Sequence, residues 1–226
     1  MRNYGIFIII GLLAMACKSE PKTIAVPEVT PANILDSIAI AHGCNQWQKV
    51  AKIGFTFNVD REDSHFERQW VWKPKTNEVT LISGLDTLSY NRNTMDSTAY
   101  KTNAGFINDR YWLLAPFNLM WDRANFTPEY QEQAKAPISG ESMQQLTIVY
   151  GADGGYTPGD AYDFYFGNDF VLQEWTFRKG NQKEASMSTT WENYLDTLGL
   201  KLARRHQKLD KAFELYLDGI TVSLEE

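Results

Sequence analysis

Cysteine is scarce in this 226-residue chain, which has only Cys17 and Cys44. A disulfide framework and a four-cysteine zinc site are thereby excluded. Histidine is almost as rare. His42, His65 and His206 stand far apart, without the H-E-x-x-H spacing that puts two ligands on one helix face. No metal site and no cofactor is read from this sequence. It also lacks a G-x-S-x-G elbow and a Cys-His signature, so nucleophilic catalysis has no support. Asp153, Asp160 and Asp163 surround a glycine-rich stretch, but their spacing does not match the D-x-D-x-D-G calcium loop, and the stretch reads as turn chemistry. Its glycines do not open a helix after a strand in the phosphate-cradling manner. Positive charge is in deficit: 22 Lys and Arg against 28 Asp and Glu give a net charge of −6, which argues against a nucleic-acid partner. The one basic cluster (Lys201, Arg204, Arg205, His206, Lys208, Lys211) is diluted by Asp210 and reads as a solvated loop, with contact to anionic head groups as the alternative. No apolar run downstream of residue 16 is long enough for a membrane span. The stretch Tyr111–Trp121, wound as a helix, would cover about 16 Å of the roughly 30 Å hydrocarbon core.

Aromatic residues are plentiful, at 13% with seven tryptophans, and favour strands around a greasy interior. The N-terminus has the three parts of a secretory leader over residues 1–16: Arg2, the apolar run Ile6–Leu13, and the small-residue site Ala14-Met15-Ala16. Leu13-Ala14-Met15-Ala16-Cys17 resembles the lipobox of bacterial lipoproteins, with Ala14 where a Leu, Val or Ile is usual. The resemblance implies that Cys17 becomes a lipidated N-terminus, leaving Cys44 as a lone, small buried hydrophobe. A Cys17–Cys44 disulfide is the alternative if the leader is cut without acylation. Residues 17–30 then form the lipidated cysteine and a proline-bearing tether. Residues 31–226 form one domain, long enough to bury a full core.

Within that domain Thr30-Pro31 starts a helix, and Ile34, Leu35, Ile38 and Ala41 continue it at helical spacing to a Gly43 cap. Ile53, Phe55, Phe57 and Val59 alternate with smaller residues as a half-buried strand. Phe66, Arg68, Trp70 and Trp72 share one face of the next strand, and Val79–Ile82 returns after a turn. Weaker strands are expected at 85–91 and 98–103. The segment Tyr111–Trp121, apolar all round and flanked by Asp109-Arg110 and Asp122-Arg123, is expected to be a short plug buried inside a curved sheet, with Pro116 starting or kinking a turn. Residues 124–141 read as a long polar excursion. Further strands are expected at 143–150, 161–167, 170–178 and 185–195, then a hairpin of 212–217 and 220–225 around Asp218-Gly219. The order predicts an α+β protein with one large antiparallel sheet.

The plug Tyr111–Phe117, Ala41-His42-Gly43, Gly154–Tyr162 and Glu174–Arg178 resemble an uncharacterised family of anchored outer-membrane lipoproteins. In architecture the chain is similar to the Lol lipoprotein carriers. The resemblance implies an unclosed antiparallel half-barrel with an N-terminal helix and short plug helices on its concave side. A lipid-anchored chain would be a receptor or binder at the periplasmic face or cell surface rather than a free shuttle.

The residues placed to line a concave ligand site are Phe55, Phe57, Arg68, Trp70, Trp72, Trp112, Phe117 and Trp121. Arg68 has two readings. It could grip a carboxylate or phosphate at a cavity mouth, or stack on tryptophans at an outward-looking face. The functional expectation is non-catalytic binding of a hydrophobic or lipid-like molecule, with the membrane as partner through the Cys17 anchor. The alternatives are a scaffold with a filled barrel and, third, a hydrolase using a carboxylate pair.

Overall fold

The computed structural model describes Met1 and residues 30–225, so the leader, Cys17 and the tether lie outside the described residues. Helix α1 (Pro31–Ala41) begins where Thr30 Oγ1 accepts the Asn33 amide at 3.3 Å, and buries Ile34, Leu35, Ile38 and Ala39. His42 ends it by donating from Nδ1 to the Ile38 carbonyl at 2.8 Å. Gly43 then turns the chain at φ 85°, where a Cβ would lie 2.0 Å from the Gly199 carbonyl oxygen. A 3-10 turn, Cys44–Lys49, leads into the sheet.

Strands β1 (Val50–Arg61), β2 (Ser64–Lys73), β3 (Glu78–Ser83) and β4 (Asp86–Asn91) form an antiparallel meander. Their inward residues meet across the ladders, Phe55 opposite Trp70 and Trp70 opposite Leu81. This is the alternation expected of β1 and β2, with one face held in the core. The second sheet runs β5 (Phe126–Lys135), β6 (Ser142–Tyr150), β7 (Ala161–Phe166), β8 (Leu172–Arg178) and β9 (Met187–Thr190). A small pair, β10 (Leu195–Thr197) and β11 (Leu200–Leu202), follows. β12 (Arg205–Gln207) and β13 (Phe213–Leu224) complete the first sheet in the order β12-β13-β1-β2-β3-β4. The two sheets come together where β12 meets β9: Glu192 bridges Arg205, and the Gln207 amide donates to Thr190 Oγ1 at 3.0 Å. At the far side β4 and β5 remain apart, so the sheets form an unclosed, antiparallel half-barrel, as the α+β expectation requires.

Helix α2 (Ser97–Trp121) connects β4 to β5 and fills the concave side. Every residue from Tyr111 to Leu119 is buried, so the plug is swallowed as expected. Its extent differs from the expectation. The 98–103 segment is helix rather than strand, because Asp96 caps it by accepting the Ala99 amide at 2.8 Å and Ala99, Asn103 and Phe106 face inward. The kink falls at Leu114 (φ −125°, ψ 22°), two residues before Pro116, which can give no amide to the Trp112 carbonyl.

Three other expectations are corrected. The polar excursion 124–141 contains β5, an edge strand whose outward residues are polar and which tolerates Pro128. The Asp218-Gly219 hairpin does not form. β13 runs straight through, and the pair sits at a register shift opposite Gly54 and Thr56, a bulge rather than a turn. The basic cluster is a solvated loop only in part: Lys208 and Lys211 lie in the segment between β12 and β13, whereas Lys201 and Arg205 sit on β11 and β12 and pair with Asp196 and Glu214, and His206 is fully buried.

Candidate functional site

The concave face of the first sheet meets α2 through one buried carboxylate. Asp109 is fully enclosed and accepts from Arg68 Nε at 2.8 Å and Nη2 at 2.7 Å, from Trp70 Nε1 at 2.8 Å and from Asn108 Nδ2 at 3.0 Å. Burial pushes the Asp109 carboxyl up, against the opposing pull of Arg68. Arg68 also lies over Phe66 and Phe57, at 4.8 and 5.8 Å from their centroids. Helix and strand come this close because position 105 is glycine: a Cβ there would lie 2.7 Å from Arg68 Nη1. Arg68 is thus placed differently from either reading: its tryptophan neighbours face inward, not outward. It grips a carboxylate and stacks on rings, and the carboxylate is the protein's own.

The next residue of α2, Arg110, has no such partner. Its guanidinium carbon lies 5.2 Å from the Trp121 ring, 5.3 Å from Trp72 and 5.9 Å from Phe106. Nε is buried without a hydrogen-bond partner. Among the described residues no ion pair involves Arg110 or Arg92. Arg92 flanks the other side of Phe106 at 5.6 Å and bonds only the neutral amide oxygen of Asn103, at 3.1 Å. Burial pushes Arg110 down to about 10, with Arg92 repelling it and Asp122 attracting it from beyond ion-pair range. A buried N–H left unmatched costs about 1–3 kcal/mol, and Arg110 Nε–H is one, although the residue as a whole is only half-buried.

The rings over Arg110 continue outward. Trp47 packs on Trp72, Phe117 and Trp121 at centroid distances of 5.4, 5.4 and 5.0 Å. Beyond them lies an open groove of about 590 Å³ between α1, the 3-10 turn and the end of α2, lined by Ile40, Cys44, Trp47, Met120 and Trp121 among others. Ile40 is 60% exposed and Met120 37%, two large apolar side chains left in solvent on the same groove. The Cys44 thiol is half-buried here and pushed up by burial.

The sequence-predicted lining residues fall into two groups. Phe55, Phe57, Trp70, Trp72, Trp112 and Phe117 are buried and packed on one another and on the rest of the core. Arg68 is tied to Asp109, and Trp121 alone of the eight lines the groove. Sequence reasoning missed Arg110, Arg92, Ile40 and Met120. A signal was present: Asp109-Arg110, polar flanks of the plug in the sequence, fall inside the helix once it begins at Ser97, with Asp109 buried and Arg110 half-buried.

The glycine-rich stretch serves as a turn. Gly154, Gly155 and Gly159 adopt positive φ, and Asp163 is paired with Arg178 Nε at 2.9 Å.

No protein-family model and no curated protein matches this sequence. Among solved structures, a LolA superfamily protein from Nitrosomonas europaea superposes with a TM-score of 0.55 at 12% identity, covering 88% of this chain and 95% of that one. A DUF1329 family protein from Desulfovibrio piger superposes with a TM-score of 0.47 at 8% identity, covering 88% and 95%. With its sheet left open and a kinked helix laid across the hollow, the chain has a LolA-like fold.

Proposed function

We propose that the protein is a lipoprotein of the cell envelope, held to a membrane by lipid on Cys17, that binds a hydrophobic or lipid-like molecule without chemical turnover. The observation that carries the reading is the groove beside the plug. Ile40, Met120, Trp47 and Trp121 line a largely apolar groove of about 590 Å³, edged by the Asp36–Arg123 ion pair and within the range of about 300–1,000 Å³ that small ligands occupy. The leader and Cys17 support the anchor, and the LolA-like fold suits a carrier or receptor of such molecules. In this reading the ligand lies beside the plug's C-terminal end, with the packed rings of Phe55, Trp70, Trp72 and Phe117 as its rigid floor.

The scaffold reading keeps one observation in its favour, the close packing of those same rings. Native mass spectrometry of the purified protein separates the two, together with tryptophan emission during titration with a long-chain acyl compound. A co-purifying amphiphile, or a saturable change in emission, supports binding. A ligand-free mass and an unresponsive spectrum would leave the scaffold.

A further inference from the structure

The apolar surface beside the plug does not end at the groove. Ile40 and Asn45 line both the groove and a second hollow of about 430 Å³ against the β10–β11 hairpin. The tip of that hairpin is Leu198-Gly199, between the paired Thr197 and Leu200. A two-residue tip with positive φ at both positions favours Asn-Gly. Here φ is 48° at Leu198 and 79° at Gly199, so a leucine takes a strained left-handed backbone while 51% of its surface stays in water. With Ile40 and Met120 it extends an exposed apolar face across both hollows, whereas the exposed Phe66, Leu85, Tyr100 and Leu209 line neither. Five of the seven tryptophans are buried, and the two that are only partly so, Trp47 and Trp121, both line the groove. The charged residues lining the two hollows are matched to each other, Asp36 with Arg123 at 2.7 Å and Asp196 with Lys201 at 2.8 Å.

Resting on the lipid anchor proposed above, we infer that this face docks on the bilayer that holds Cys17, with Ile40, Leu198 and Met120 among the head groups and Trp47 and Trp121 beside them. Apolar side chains, half-wet indoles and balanced charge suit the head-group region of a bilayer better than a charged partner. The tether keeps the face within reach. From Cys17 to Thr30, at 3.3–3.6 Å per residue, the chain spans at most about 45 Å, and it joins the fold at the start of α1, the helix that carries Ile40. A contact held that close works at an effective concentration on the order of millimolar. A few side chains are too weak to retain an untethered chain, so the anchor delivers and the face orients. The groove then opens onto the bilayer, and its ligand moves between the two without crossing water.

The test uses the purified, lipidated protein reconstituted into vesicles of phosphatidylcholine, or of the same lipid with brominated chains that quench tryptophans at the bilayer. Flotation reports the anchor, and loss of emission reports docking. The wild type should float and lose emission, equally at low and high salt, because the face carries no net charge. Leu198→Asn, which suits the turn, and Ile40→Asp should float yet keep their emission. Leu85→Asp and Leu209→Asp, exposed elsewhere, should be quenched like the wild type. A floating wild type with undiminished emission overturns the docking and leaves the ligand-binding role, which the acyl titration tests separately. Quenching that Leu198→Asn keeps and Ile40→Asp loses would mean lipid entering the groove of an undocked protein, and overturns it too. Quenching lost equally in Leu85→Asp, or abolished by salt, refutes this apolar face as the contact. A chain that does not float removes the anchor and the docking together.

Discussion

His42 and His206 sit in the core with 1% and 0% of their surface exposed, and both are held neutral there. His42 donates from Nδ1 to the Ile38 carbonyl, while its Nε2 takes the Leu172 amide at 3.4 Å beside the Tyr194 hydroxyl at 3.3 Å. His206 donates from Nδ1 to the Thr190 carbonyl at 3.2 Å, between the rings of Trp112 and Trp191. Burial is the largest cause in each case, pushing His42 down to about 4 and His206 to about 3. An unfolded histidine titrates near about 6.5. Below that pH the unfolded chain takes up protons that the folded one refuses, so the stability is fully present above pH 6.5 and is lost as pH falls toward 4 and 3. Between pH 7 and pH 5 each histidine should remove about 2 kcal/mol, and the two together about 4. Typical domains have only about 5–15 kcal/mol in all.

Urea denaturation followed by circular dichroism at pH 7, 6 and 5 measures this directly. His42→Gln and His206→Gln should each lower stability at pH 7 and each flatten the pH 7-to-5 slope by about half. Carboxylates such as Asp109, raised by burial, act in the opposite direction, but equally in wild type and variants, so the difference isolates the histidines. A wild-type protein as stable at pH 5 as at pH 7, with both variants showing the same profile, would refute the reasoning.

Asp109→Ala should cost about 3 kcal/mol by urea melt, near the lower end for a broken buried pair because Arg68 can swing toward solvent. Gly105→Ala should destabilise despite a helix-propensity gain of about 1 kcal/mol, since the new Cβ crowds Arg68 Nη1 where Asp109 pins it; a stabilised variant would show that the ion pair tolerates the shift. Gly43→Ala should cost about 2–3 kcal/mol in the same assay, combining a left-handed backbone with a collision against the Gly199 carbonyl. Cys17→Ser should move the protein from the membrane fraction to the soluble fraction on cell fractionation; retention in the membrane would contradict the anchor.

The parts of the fold that could be read in advance are those where local chemistry and burial agree. The β1 alternation of Ile53, Phe55, Phe57 and Val59 follows from one face being held in the core, and α1 carries its own cap and stop at Thr30 and Gly43. The misread parts are governed by distant partners. The first half of α2 is rich in Thr, Tyr and Asn, and is helical because Asp96 caps it and Asp109 finds Arg68 from 41 residues away. Asp218-Gly219 has the letters of a turn, but β1 continues past it and converts it to a bulge. The candidate site was half legible for the same reason. Its rings announce themselves by composition, whereas the unanswered charge of Arg110 can be recognised only after every neighbouring carboxylate has been placed.

Leaving the sheet open has a cost that the outermost strands carry. A closed barrel has no loose rim, but here β4 and β5 each present one, and a bare rim of backbone donors and acceptors invites a stranger's strand. β5 answers with Pro128, which has no amide to offer, and with Glu129, Glu132 and Lys135 turned to solvent; β4 is only six residues long. Those unremarkable polar side chains disfavour strand-to-strand pairing along the rim that an unclosed sheet leaves bare.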